Sequence, residues 1–138
     1  IQYLYTMKRK LTAFILAAIM ILGGIGHFLA GDFYAPMIPG WISVTMANFL
    51  SGIAELVTGL LLIYPLTRHY GGLAFAALMV AFLPIDGWDL LKEDPAIGNH
   101  SVAVVRLLFQ FFLIWLGWLI WRDGPAKMPT KIQNSPPS

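Results

Sequence analysis

Four stretches of the chain carry few charges and are long enough to cross a hydrocarbon layer, and short segments rich in charge, proline and glycine separate them. A bilayer core about 30 Å thick takes roughly 20 residues of helix at 1.5 Å rise per residue. On that measure, spans are expected over 11–29, 45–63, 71–85 and 102–121, the third short enough to start earlier or tilt less. The first, apolar after a basic start, also has the outline of a signal peptide. Its exit, Phe28-Leu29-Ala30-Gly31, lacks small residues at both recognition positions, which favours an uncleaved span. The pattern predicts an all-α membrane protein, a four-transmembrane-helix bundle formed by residues 11–121.

Helices in lipid associate through small residues and polar contacts, so such positions at three-and-four spacing mark inward faces. In the first span they are Ala13, Ala17, Met20, Gly24 and His27, and in the second Asn48, Gly52, Glu55 and Gly59. The third offers Ala74, Ala77 and Ala81 before Pro84, and the fourth Arg106, Gln110, Leu113 and Gly117. Between the first two spans, Pro36 and Pro39 oppose a regular helix. The aromatic and apolar residues around them predict a segment lying along the outer interface.

Composition agrees: 58% of the 138 residues are hydrophobic, 12% are charged and mean hydropathy is +0.71. A soluble domain of this size could not hide so much apolar surface, nor is there room for a separate catalytic domain. The formal charge of +2 does not point to nucleic acid, because the basic residues sit at the ends of spans. Lys8, Arg9, Lys10, Arg68, Arg122, Lys127 and Lys131 all fall on one side, whereas Lys92 stands opposite among Asp32, Asp89, Glu93 and Asp94. The positive-inside rule therefore predicts both termini in the cytoplasm, N-in/C-in. Trp115, Trp118 and Trp121 would anchor the inner leaflet, and Trp41 and Trp88 the outer. Residues 1–10 read as a cytoplasmic segment, in which Met7 followed by three basic residues suggests that 1–6 are not native. Residues 122–138, rich in proline and serine, read as a disordered tail. The absence of cysteine excludes thiol–disulfide chemistry in this chain alone.

Glu55 is the position that most needs explaining, about nine residues from either end of its span and so roughly 13 Å from each surface. A carboxylate there costs about 2.5–3.5 kcal/mol on insertion scales, so protonation or a partner is required. Arg106 and His27 are the candidate partners. Arg106 has a stem long enough to reach down toward Glu55 or up to water. Ser51 lies one turn outward of Glu55, Gln110 one turn inward of Arg106, and Asp86 is expected to end the third span. Candidate ligand-binding residues are accordingly His27, Ser51, Glu55, Asp86, Arg106 and Gln110. A buried network that only fixes helix order has equal weight. Asp89, Glu93 and Asp94 read as solvated loop charges. No metal-ligand cluster, phosphate loop or nucleophile triad is present, and no catalytic residue is assigned.

The motifs Gly26-His27-Phe28, Asp32-Phe33, Ile38-Pro39-Gly40-Trp41, Ser51-Gly52-Ile53-Ala54-Glu55-Leu56, Gly59-Leu60 and Pro65-Leu66-Thr67-Arg68 resemble those of DoxX-like membrane proteins. So does Arg106-Leu107-Leu108-Phe109-Gln110 followed by Trp115, and the likeness covers roughly residues 11–121. The resemblance implies a multi-pass protein of the bacterial plasma membrane, with some relatives serving as quinone-linked subunits of thiosulfate-oxidising systems. It also implies His27, Ser51, Glu55, Arg106 and Gln110 as the polar set. Two departures stand out: Pro84-Ile85-Asp86 replaces a Pro-x-Asn pattern, and the cysteines of thiol-redox relatives are missing.

Three functions follow from these readings. The first is an accessory subunit of a membrane redox system, with quinone as the cofactor to look for and a redox partner subunit supplying the electron carrier. The second is a small proton-coupled transporter using Glu55, and the third a purely structural or assembly protein. Lipid is the expected partner in each, with a homo-oligomer open and nucleic acid not expected.

Overall fold

The computed structural model describes residues 1–126. It has five α-helices: α1 Gln2–Leu29, the single turn α2 Gly31–Tyr34, α3 Val44–Ile63, α4 Arg68–Leu91 and α5 His100–Arg122. A 3₁₀ turn, Ala35–Met37, follows α2. Four of the helices are long and apolar enough to cross a membrane. They expose large apolar side chains along their length, with Leu22 70%, Leu60 62% and Leu108 64% accessible. Such a surface is suited to lipid. The expected all-α four-span architecture is therefore found, and we call the end where α1 and α4 finish and α3 and α5 begin the upper end.

Local chemistry sets the helix boundaries. Ser43 caps α3 by accepting from the Met46 amide (3.3 Å), and Asn99 caps α5 by accepting from Val102 (3.1 Å). At the lower end, Arg68 donates to the Leu62 and Ile63 carbonyls at 2.9 and 2.8 Å, satisfying acceptors that the end of α3 leaves unpaired. Arg68 is thus buried inside the first turn of α4 rather than lying in a loop. This helix does start before residue 71, but it also runs through Pro84 to Leu91, so Asp86 lies within it instead of at its end. α1 likewise begins before Leu11, taking Lys8, Arg9 and Lys10 into the helix.

Two antiparallel pairs make the bundle. α1 packs chiefly on α3 and α4 on α5; the pairs join along α3 and α4, while α1 and α5 touch little. The α1 stripe Ala13, Ala17, Met20 and Gly24 and the α3 stripe Asn48, Gly52, Glu55 and Gly59 are buried as expected, as are Gln110, Leu113 and Gly117 of α5. The alanine stripe of the third span is not. Ala77 and Ala81 face outward, and the buried face of α4 runs through Gly72, Phe75 and Met79 to Asp89. The cause is the close crossing of α4 and α5: a Cβ on Gly72 would stand 2.7 Å from the Gly117 carbonyl oxygen. Glycine, not alanine, makes that contact.

The first residues of the segment read as a tail contact α1. Arg9 donates to the Ile120 carbonyl (3.0 Å) and the Gly124 carbonyl (2.6 Å), with Asp123 3.8 Å from its Nε, closing α1 onto the end of α5. Residues 127–138 of that tail, with Lys127 and Lys131, lie outside the described residues.

Candidate functional site

Side chains on a helix lean toward its N-terminus. Because α1 rises and α3 descends, His27 leans down and Glu55 leans up, and the two meet with Nε2 3.3 Å from Oε1. Gly23 makes room for the carboxylate, since a Cβ at this position would collide with Glu55 Oε2. The His27 Nδ1 lies 2.8 Å from Asn48 Oδ1, and the Asn48 amide nitrogen donates to the Gly31 carbonyl at 3.1 Å. Tyr34 stacks on the imidazole at 3.9 Å between centroids.

This network orients the imidazole. With its NH₂ committed to Gly31, Asn48 presents an acceptor to His27, so Nδ1 carries hydrogen. Nε2 then faces Glu55 Oε1 at 3.3 Å, and a single proton on either member would give a carboxylic acid on a neutral ring or a carboxylate on an imidazolium. Both forms have zero net charge. A neutral pair is how an acidic residue is tolerated at this depth. Tyr34, on the short segment above, is pushed above the ordinary tyrosine range by burial and then by Glu55, which keeps its hydroxyl protonated.

Arg106 is not the partner of Glu55. α5 starts at the upper end, so Arg106 leans upward, where it donates to Asp86 at 2.8 Å and Asp89 at 2.9 Å. Asp89 is 1% accessible, also pairs with Lys92 at 2.9 Å and accepts from the Ala96 amide at 2.8 Å. It is a buried ion-pair centre and not a solvated loop charge. Gln110 donates to the Met79 carbonyl of α4 at 2.9 Å, so Glu55, Arg106 and Gln110 do not join in one network.

Between the two networks lies a cavity of about 200 Å³. His27, Ser51, Glu55, Asp86 and Gln110 all line it, and Arg106 stands behind Asp86. Five of the six candidate residues thus line one space, and Arg106 does not. Sequence reasoning missed its roof: Tyr34, Met37, Ile38 and Ile42 close over the cavity, and Lys92 ties the segment down through the Pro36 carbonyl at 2.9 Å. That segment does not simply lie along the interface. The alternation of Phe33, Tyr34, Met37 and Ile38 with prolines signals an apolar cap, but spacing alone does not say over which helices. No group of three or more His, Asp or Glu side chains among the described residues is placed to hold a metal ion.

No curated protein and no solved structure matches the chain. A family profile described as "Domain of unknown function (DUF8561)" matches residues 16–121, a stretch containing every residue of the cavity, and the chain belongs to that family.

Proposed function

We propose that the protein binds the head group of a quinone in this cavity and serves as an accessory subunit of a quinone-linked redox system. In this reading it sits in a bacterial plasma membrane, with both termini cytoplasmic and the cavity in the outer half. The observation that carries the proposal is a largely hydrocarbon-walled space with a proton-holding pair on one wall. A dry cavity of about 150 Å³ takes a benzene ring, so about 200 Å³ accommodates one substituted six-membered ring. Ser51 and Glu55 bring hydrogen-bonding groups to its wall, whereas both nitrogens of His27 are already engaged. The resemblance to DoxX-like proteins supports the same class of ligand. Arg106, bound to two aspartates, positions Asp86 and does not contact the ring.

Oxidation of a quinol releases two protons and two electrons. The Glu55–His27 pair takes one of the two protons at a time, and accepts the second once the first has passed on to water. The electrons require a redox centre on a partner subunit, because no side chain here carries them. The test is binding of a short-chain ubiquinone to the protein in lipid nanodiscs. Ala47→Phe, which fills the cavity, is expected to weaken binding at least tenfold without loss of helix content; equal affinity in the variant rejects the site.

A proton-coupled transporter is the second reading, favoured by the same pair. It requires proton-dependent uptake in liposomes that is lost in Glu55→Gln.

A further inference from the structure

A second, more polar hollow of about 360 Å³ opens at the upper end between α1 and α3. Asp32, Thr45 and Asn48 line it, and His27 is the one residue common to this hollow and the inner cavity. The imidazole therefore forms the partition, with Nε2 toward Glu55 on the cavity side and Nδ1 held toward Asn48 on the hollow side. Tyr34 stacks on one face of the ring, which fixes its orientation.

We propose that His27 is a proton gate through which the buried Glu55 exchanges protons with the aqueous phase at the upper end. An imidazole conducts by taking a proton at one nitrogen and releasing another from the opposite one. Here Nε2 takes the proton from Glu55, and the cationic ring releases the Nδ1 proton to water entering from the hollow when its bond to Asn48 opens. Reverse transfer, with Nδ1 taking a proton from the hollow and Nε2 returning one to Glu55, restores the starting tautomer. Asn48 carries no proton itself; it is a positioning residue that aims Nδ1 at the hollow, anchored by its own bond to Gly31. The charged and titratable groups around the gate are Asp32 at its mouth, Tyr34 above it and, across the cavity, Asp86 with Arg106 behind it. The Asp86 charge is taken up by Arg106, which leaves Glu55 as the carboxyl that communicates with His27.

The proposal deepens the reading of the cavity as a proton-accepting site, yet its test needs no quinone. Infrared spectra of the protein in lipid nanodiscs report the proton of this pair as a carboxylic band, lost in Glu55→Gln, or as an imidazolium band, lost in His27→Gln. Transfer to D₂O shifts either band, and the rate of the shift measures exchange. Asn48→Leu and His27→Gln are each expected to slow exchange at least tenfold with helix content kept; in His27→Gln the carboxylic band is the one followed. Unchanged rates in both variants, or absence of both bands in the unmodified protein, would overturn the gate. Should His27→Gln fail to fold, Asn48→Leu decides alone. Loss of the gate with quinone binding intact separates this inference from the function proposed above.

Discussion

At the scale of single residues, the two polar networks make opposite demands on mutation. Glu55 and His27 are paired at 3.3 Å, so removing either strands the other in a cavity wall. Arg106 belongs to the aspartates of α4. Glu55→Ala and Arg106→Ala are each expected to destabilise the protein, with losses that add to within about 0.5 kcal/mol, as independent sites do. Glu55→Ala with His27→Ala should instead lose less than the sum, by about 0.5–3 kcal/mol. Denaturant titration in detergent micelles measures both cycles, and coupling between Glu55 and Arg106 would contradict the assignment. Asp89→Ala should cost about 3 kcal/mol and more than Asp86→Ala, since it leaves Arg106, Lys92 and the Ala96 amide without their common acceptor. The burden on Glu55 was legible in the sequence because depth in a span follows from counting residues. Its partner was not, because the choice between Arg106 and His27 turns on which way each helix points its side chains. Asp89 was misread because the apolar run stops near Ile85, although the helix continues for another turn and a half.

At the scale of helices, inward faces were readable wherever the sequence placed a polar or glycine marker on them. Glu55 and Asn48 fixed the face of α3, and Gln110 that of α5. α4 has no such marker in its middle, and its buried face carries Phe75 and Met79, which by composition are indistinguishable from lipid-facing residues. The glycines at the crossing carry the information instead. Gly117→Leu should separate α4 from α5, because even a Cβ on Gly117 would stand 2.9 Å from the Gly72 carbonyl oxygen. Gly40→Leu, where nothing lies within 4 Å, should be near neutral. Thermal melting followed by helical circular dichroism compares them, the first variant losing at least about 2 kcal/mol as over-packed sites do.

For the whole molecule, the arrangement of two helix pairs around one cavity ties function to orientation. With no native cysteine, single cysteines can be introduced at exposed positions of either end. Under the N-in/C-in reading, Glu93→Cys should react with an impermeant maleimide on intact cells and Lys10→Cys only after lysis; the reverse would place the cavity in the inner half. Four spans and their order were legible because hydrocarbon thickness dictates their length. The cavity was legible only as a convergence of polar residues, since its volume depends on how the 30–43 segment folds back over the helices. The most direct test of the binding site is photolabelling with a short-chain quinone bearing a photoreactive group, mapped by mass spectrometry. Label should concentrate at Met37, Ile38 and Phe82 and be displaced by unlabelled quinone. Label spread over the exposed Leu22, Leu60 and Leu108 and unaffected by competitor would contradict a quinone site in the bundle.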